Sequence, residues 1–314
     1  MKSLATLSLV AVACASPANP KPPSETPPRA EKIAIGRLEA YAVADGTLES
    51  PNDGRTFGLG RPTREVGDVL AAAGLPRDKI RLDIQCLLVK SVDRVILFDT
   101  GLGAFADGDQ GHLPKSLALA GVAPAAVTDI FISHSHRDHV GGLMTKEGAL
   151  GFPSATIHMS APEWAFLQAD PDKDAKRLVA VIAPKVAAFE PGAQVLPMVK
   201  AVETHGHTPG HSSYSVGEGA DALFYLGDLA HHFVISIQRS AWLMQYDADQ
   251  SAGEAMRQQT LSKLATDGAR VFAVHFPFPG IGQVVTDGQG LVWKPDRWVR
   301  ARAWPRSHSL ALRR

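Results

Sequence analysis

The sequence predicts an α+β fold built on two packed sheets. Strand-like runs of β-branched and aromatic residues alternate with segments of helical periodicity. Clusters of histidine and aspartate follow several of the strand-like runs, as expected where loops gather at one edge of a sandwich of sheets. The chain of 314 residues is 45% hydrophobic, which is enough for one large core, and its formal net charge is zero. This charge balance gives no reason to expect a nucleic-acid partner.

The predicted elements follow in order along the chain. Strands are predicted where apolar or alternating runs are bounded by turn residues, at 33–43, 81–90, 94–98, 129–132, 156–159, 214–216, 222–226 and 270–274. Helices are predicted at 64–73, 161–167, 175–188 and 252–265, the last beginning with a capping box from Ser251 to Glu254. The loops at 49–62 and 104–113 are expected to cover the edge of the sheets that carries the histidines.

The two ends of the chain predict flanking segments. Residues 1–15 combine a charged start with an apolar run, which is typical of an export signal, so we expect a periplasmic or secreted protein. Cleavage after Ala13 would release it, whereas Cys14 also fits a lipid-anchored cysteine; simple secretion is favoured. Residues 16–32 are predicted to be a proline-rich linker, 33–299 the folded domain and 300–314 a basic tail. We predict no transmembrane helix, because no apolar run is long enough.

The most informative motif is the run His-Ser-His-Arg-Asp-His at 134–139, which follows the strand-like segment ending at Ile132. His134 and His136 alternate along an extended entry and so point the same way. Asp138 and His139 follow a bend and can face a second position. One short segment can therefore serve two metal ions. A surface loop that merely contains three histidines is the alternative, which the flanking strand and Gly-Gly turn disfavour.

Three later clusters also follow strand-like runs. They read His-Gly-His-Thr-Pro-Gly-His at 205–211, Leu-Gly-Asp at 226–228 and His-Phe-Pro-Phe-Pro-Gly-Ile-Gly at 275–282. With these motifs the chain resembles the metallo-β-lactamase superfamily over residues 33–298, and within it the methyl parathion hydrolase branch. The resemblance implies a four-layer αββα sandwich with one or two metal ions at the edge of the sheets.

The resemblance also implies the metal ligands, residue by residue. One metal would be held by His134, His136 and His207, the other by Asp138, His139 and His275, with Asp228 bridging the two. The expected cofactors are two Zn²⁺, with other divalent first-row metals as alternatives. Asp138 and Asp228 are the expected catalytic carboxylates. Asp99 matches the family's buried aspartate that orients the metal histidines, unless it only forms the turn before Gly101.

The donor set argues for catalysis without the resemblance. Structural zinc sites are closed and mostly thiolate, whereas Cys14 and Cys86 are the two cysteines of this chain and neither lies near a histidine cluster. Five histidines and two carboxylates exceed what one closed tetrahedron needs. Two divalent ions about 3.5–4 Å apart can share a water, lower its pKa and polarise a carbonyl or phosphoryl oxygen. Motifs of serine, P-loop or paired-cysteine chemistry are missing from the sequence.

Four more histidines lie near these motifs. His205 and His211 flank His207 and are expected to support it or pack beside it. His231 and His232 follow Asp228 and would overlook the metals. They would either line the substrate pocket, where one could donate a proton to the leaving group, or be ordinary polar loop residues.

The sequence therefore predicts a secreted dinuclear zinc hydrolase that cleaves an ester-like bond of a small molecule: a lactone, an aryl ester or a phosphotriester. A homodimer is an open alternative to a monomer. Asp228 disfavours a β-lactamase of the class B3 type, which lacks this carboxylate. Many acyl-homoserine lactonases carry a tyrosine three residues after the bridging aspartate, where this chain has His231, and this departure weighs against quorum-signal hydrolysis. An iron dioxygenase of the persulfide-oxidising kind and a metal-dependent binding protein are the alternatives from other classes.

Overall fold

Two seven-stranded sheets form the centre of the protein in a computed structural model that describes residues 27–288 and 290–296. The first sheet follows chain order: β1 (Ala30–Ile35), β2 (Leu38–Pro51), β3 (Lys79–Lys90), β4 (Val95–Phe98), β5 (Asp129–Phe131), β6 (Thr156–Ser160) and β7 (Val186–Phe189). The second sheet also keeps chain order from one edge to the other: β8 (Gln194–Leu196), β9 (Val199–Glu203), β10 (Ser212–Val216), β11 (Leu223–Tyr225), β12 (Arg270–Phe272), β13 (Ile281–Asp287) and β14 (Gly290–Pro295).

The described residues form seven α-helices. They are α1 (Thr63–Ala72), α2 (Leu113–Leu119), α3 (Arg137–Val140), α4 (Ala161–Ala169), α5 (Lys173–Ile182), α6 (Ile235–Gln238) and α7 (Gln250–Asp267). Apolar residues of α2, α4 and α5 pack on the first sheet, and those of α7 pack on the second. The predicted αββα sandwich is confirmed. Among these helices, none has both the length and the apolar character that a membrane crossing needs.

The strands are buried on both faces because each face meets a different layer. In β4, Ile96 and Phe98 pack between the two sheets, whereas Leu97 packs under the helices. In β5, Phe131 faces the other sheet and Ile130 faces the helices. This alternation follows from the two-residue period of a strand. Each fully buried side chain of this size contributes about 1.5–3 kcal/mol.

Parallel strands bring the metal-binding motifs to one edge. Strands β4 to β7 are parallel to one another, as are β11 and β12 in the second sheet. Asp99, His134, Asp228 and His275 all lie just beyond the carboxyl end of such a strand. The loop between β9 and β10 adds His207. Residues separated by more than 100 positions can therefore meet.

The structure corrects three of the predicted elements. The strand predicted at 33–43 is a hairpin that turns at Gly36, whose φ of +53° glycine adopts without strain. The helix predicted at 175–188 ends at Ile182, because Pro184 interrupts it and β7 pairs with β6. The last helix begins at Gln250 and is capped by the Asp249 side chain, which accepts from the Ala252 amide, so the capping box at Ser251 was wrong.

Other boundaries differ by small amounts. The sheet begins at Ala30, so residues 30–32 belong to β1 and not to the predicted linker. Strands β8, β9, β13 and β14 and helices α2, α3 and α6 were not predicted. The predicted export signal at 1–15, the linker as far as residue 26, residues 297–299 and the basic tail at 300–314 lie outside the described residues.

Candidate metal centre

All seven residues predicted as ligands converge at the edge of the sheets. They form two groups, whose donor atoms lie within 4.8 Å of one another in each group: His134, His136, His207 and Asp228 in the first, Asp138, His139 and His275 in the second. The local backbone explains the division. The chain is extended at His136 and turns into α3 at Arg137, so Asp138 and His139 point towards the second group.

Asp228 lies between the two groups and offers one oxygen to each. Its Oδ2 atom is 3.5 Å from Nε2 of His134 and 3.5 Å from Nε2 of His207. Its Oδ1 atom is 3.3 Å from Nε2 of His139 and 3.1 Å from Nε2 of His275. This is the arrangement expected of a bridging carboxylate.

The donor atoms are arranged for binding divalent metal ions and not for hydrogen bonding among themselves. Nε2 of His207 lies 3.1 Å from Nε2 of His134 and 3.0 Å from Nδ1 of His136. Because Nδ1 of His207 faces the Asp247 carboxylate, 3.1 Å away, its Nε2 presents a lone pair to the other rings. Nε2 of His139 and Oδ1 of Asp228 are buried without a hydrogen-bond partner. Tetrahedral bonds of about 2.0–2.1 Å would separate neighbouring donors by about 3.3–3.4 Å, close to the observed spacings.

The outer nitrogen of three imidazoles is held by a protein oxygen. Nδ1 of His139 is 2.7 Å from Oδ2 of Asp99, and Nδ1 of His275 is 2.8 Å from the carbonyl oxygen of Asp83. His207 has Asp247 in this position. Such partners place the proton on Nδ1 and leave Nε2 free to bind a metal.

Asp99 combines both roles that the sequence allowed. It is the one non-glycine residue with positive φ (57°) among the described residues, directly before the Gly101 turn. Its buried carboxylate also accepts hydrogen bonds from the Ser133 amide (2.7 Å), the Ser133 hydroxyl (2.6 Å) and the Tyr225 hydroxyl (2.7 Å). The strained backbone is therefore maintained by a dense set of contacts that also aligns His139.

Glu163 joins the two loops that carry the first group, and the sequence analysis missed it. Its buried carboxylate accepts from the amide and hydroxyl of Ser135 at 2.7 and 2.6 Å. It also accepts from the Thr208 hydroxyl at 2.6 Å and the Gly210 amide at 3.1 Å. The residue sits in the first turn of α4, where nothing local distinguishes it from a surface glutamate. Asp247 and Arg257, which lie behind His207, were missed for the same reason.

His211 supports the bridging carboxylate. Its Nε2 atom accepts a hydrogen bond from the Asp228 amide at 2.9 Å, and its Nδ1 lies 3.0 Å from the Thr204 carbonyl oxygen. Burial lowers the pKa of His211 to about 4, so the ring is neutral and can accept. A Cβ atom at Gly227 would lie 2.6 Å from this ring, which explains the glycine before Asp228. His205 instead pairs with Glu203 on the surface.

The two histidines after Asp228 have different surroundings. The His231 ring lies against the centre, with Nε2 3.1 Å from Oδ2 of Asp228, and it makes stacking contacts with the rings of Tyr246 and His275. Nδ1 of His232 accepts instead from the amides of Val234 and Ile235 at the start of α6. Burial lowers the pKa of His232 to about 3. Of the two alternatives that the sequence left open, the contacts of His232 fit an ordinary polar loop residue, and the position of His231 beside Asp228 fits a pocket residue.

The charges of the centre favour a cation in the second group. Burial alone would lower the pKa of His139, but Asp228, Asp138 and Asp99 raise it well above its ordinary value. The pKa of His275 is raised too, because Asp228 outweighs burial. Burial lowers the pKa of His134 and of His207 well below 6.5, so the first group presents neutral rings. Each group thus offers the ligand forms that divalent ions prefer, once protons leave the second group.

The chain is similar in sequence and in fold to known proteins. Residues 80–275 match the model of the metallo-β-lactamase superfamily. An N-acyl homoserine lactonase from a Bacillus species is 27% identical over 157 residues, 44% of this chain; the chain spans 60% of the length of that curated relative. The solved structure of AidC, a dizinc quorum-quenching lactonase in complex with a product, is 31% identical with a TM-score of 0.81 over 86% of this chain and 98% of that one. The hydrolase AbOPH is 26% identical with a TM-score of 0.76 over the same shares. The chain therefore belongs to the metallo-β-lactamase superfamily.

Proposed function

We propose that this chain is a metal-dependent hydrolase that holds two divalent ions, zinc by preference, and cleaves an ester-like bond. The observation that carries the proposal is the position of Asp228, whose two carboxylate oxygens face two separate groups of convergent histidines. Two ions bound there would supply activated water near neutral pH and polarise the oxygen of the bond under attack. The ligand set would be the seven residues of the two groups.

Residues around the centre would hold the metal-binding side chains in the orientation that such chemistry requires. Asp99, Asp247 and the Asp83 carbonyl hold three rings in one orientation, so little reorganisation is needed during the reaction. Asp138 is the more accessible carboxylate of the centre, with its side chain 18% exposed against 4% for Asp228. We infer that substrate approaches from the Asp138 side. Both ring nitrogens of His231 are buried without a hydrogen-bond partner beside Asp228, and we infer that this ring contacts the substrate.

A lactone is the substrate that we propose first. AidC, which is 31% identical, is a lactonase with bound product, and the curated Bacillus relative acts on N-acyl homoserine lactones by name. These similarities outweigh the replacement of the lactonase tyrosine by His231. Aryl esters and phosphotriesters are the next candidates. The carboxylate at Asp228 and the complete set of seven donors disfavour a β-lactamase and a mononuclear iron dioxygenase. Export, by secretion or through a lipid at Cys14, remains our prediction.

A metal analysis and a substrate panel test this proposal. We expect two zinc ions per chain, and hydrolysis of N-acyl homoserine lactones with a kcat/KM at least about 10-fold above that for aryl esters, phosphotriesters and β-lactams. A factor of 10 corresponds to about 1.4 kcal/mol of differential transition-state binding. Metal-free protein is the control. One iron per chain with oxygen consumption, or stable binding of every substrate without turnover, would contradict the hydrolase.

Replacing His231 and His232 separately should distinguish a pocket residue from a structural one. We expect His231→Ala to keep both metals and shift the ratio of lactone to phosphotriester rates by about 10-fold or more, because a substrate contact changes differential transition-state binding. His232→Ala should lower the free energy of unfolding by about 1 kcal/mol, because two backbone amides at the start of α6 lose their acceptor. The ratio of lactone to phosphotriester rates should not change in this variant. Rates and metal content are measured on both folded variants. Unaltered selectivity in His231→Ala would show that other loops form the pocket.

A further inference from the structure

Arg257 is a buried cation on α7 whose three nitrogen atoms all bond to one loop. Its side chain is 1% exposed. Nη1 donates to Oδ2 of Asp247 at 3.0 Å, Nη2 to the Trp242 carbonyl at 3.1 Å and Nε to the Ser240 carbonyl at 2.9 Å. Burying a guanidinium is costly unless it is paired and hydrogen-bonded in this way. Arg257 therefore holds the positions of three residues of this loop.

The Asp247 carboxylate connects Arg257 to the first metal group. One of its oxygens accepts from Arg257, and the other lies 3.1 Å from Nδ1 of His207. The carboxylate is almost fully buried, with 1% of the side chain exposed. Its two oxygens are thus divided between a fixed cation and a metal-binding ring, so displacement of Arg257 would displace the acceptor that orients His207.

The backbone of the same segment is also tied to His207. We call residues 240–249 the pocket loop. The Ala248 amide donates to the His207 carbonyl oxygen and the Asp249 amide donates to that of Gly206, both at 3.0 Å. A Cβ atom at Gly206 would lie 2.4 Å from the Gly253 nitrogen, so the histidine loop packs against the first turn of α7 without space between them. His207 and the pocket loop are therefore joined by direct backbone hydrogen bonds as well as through Asp247.

The other end of the pocket loop forms a wall beside the centre. The Tyr246 ring stacks on His231 at 5.2 Å and meets the edge of Phe57 at 6.1 Å. The Gln245 amide donates to the Thr56 carbonyl at 2.9 Å, and Trp242 packs in the same apolar cluster as Phe57. One loop thus carries both the support of a metal ligand and an aromatic wall next to His231.

We propose that Arg257 is a positioning residue that couples the pocket loop to His207, so that the affinity for the first metal and the shape of the substrate pocket are set together. The inference rests on the metal centre proposed above. The planar guanidinium fork can hold a carboxylate and two carbonyls at fixed angles, whereas a lysine ammonium at the end of a flexible stem cannot.

Metal competition tests this coupling on four variants. Zinc affinities are measured against a chromophoric chelator, and the cobalt-loaded protein gives an absorption spectrum of each site. For Arg257→Met we expect the zinc affinity of one of the two sites to fall by about 10–100-fold. The cobalt absorption bands of that site should change, and KM for the best substrate of the panel should rise. Asp247→Asn should reproduce this loss, and Arg257→Lys should fall between Arg257→Met and the wild type. Arg94→Met is the control, because it breaks a second Arg–Asp pair, between the partly exposed Arg94 and the buried Asp129, at the opposite end of β5 from the centre.

The outcomes separate a positioning role from a structural one. The control should unfold at lower temperature and bind both metal equivalents normally. If Arg257→Met binds both equivalents with wild-type affinity and wild-type cobalt spectra, Arg257 only stabilises the fold and the inference is overturned, whatever Asp247→Asn shows. A wild-type chain that takes up no metal would overturn the metal centre and this inference with it. Should Arg257→Met fail to fold, weaker binding of one metal equivalent by Arg257→Lys still supports the coupling, and wild-type affinity for both equivalents in Arg257→Lys refutes it.

Discussion

Replacing Asp228 with asparagine is expected to abolish hydrolysis and to remove one of the two metal ions. The carboxylate has a charged oxygen for each donor group, whereas an asparagine has one neutral oxygen and one NH₂ group, which would point its hydrogens at a cation. Burial alone would raise the pKa of Asp228, but His139, His275, His231 and His134 hold it well below its ordinary value, so the anion is the native form. We expect kcat to fall by at least about 100-fold, since even partners of metal ligands contribute 10–100-fold.

The measurements are metal content by elemental analysis and turnover on the best substrate of the panel. Asp129→Asn is a matched control, because Asp129 is also a buried aspartate but pairs with Arg94 and His158 away from the centre. We expect the control to lose stability and to retain two metals and full turnover per folded molecule. Full activity in Asp228→Asn would refute the assignment of Asp228 as the bridging ligand.

Removing the metals with a strong chelator is expected to reduce turnover to the uncatalysed background. Zinc, cobalt or manganese should restore it, because imidazole and carboxylate ligands accept several first-row ions. The fold should persist in the metal-free protein, since its large apolar clusters do not depend on the ligands. Circular dichroism of the chelated protein checks that the fold persists. Recovery of activity on metal addition checks that turnover depends on the metals.

The rebinding of metal to the chelated protein should weaken as pH falls. The pKa values of His139 and His275 in the metal-free protein are raised above 6.5, largely by Asp228 against the effect of burial. Both rings must lose a proton before they bind a metal, so metal affinity should weaken as pH falls through this raised range and strengthen above it. Isothermal titration in buffers of different ionisation enthalpy would count the protons released. Undiminished turnover after prolonged chelation would refute a metal mechanism altogether.

Local sequence patterns were sufficient for most of the elements near the centre. The apolar runs that became β4, β5, β6 and β12 are short, largely buried and bounded by turns, and the longer β3 is continuously buried from Gln85 to Val89, so their strand character is visible in the sequence itself. Strands β13 and β14 form a hairpin at the edge of the second sheet and were missed, because their sequences mix polar and apolar residues. The helix predicted through residue 188 failed where β7 pairs with β6, a non-local contact that outweighs helical periodicity.

The sequence by itself identified the seven donors that converge, through histidine and aspartate motifs that follow strand-like runs and through the family resemblance that these motifs carry. Only the tertiary structure decided which other residues hold them. Glu163, Asp247 and Arg257 have ordinary helical or loop neighbours in sequence, and their roles arise from hydrogen bonds across 10 to 47 positions. The same reason separates His231 from His232. Adjacent residues share a sequence context, but the turn into α6 directs one ring at Asp228 and the other at backbone amides.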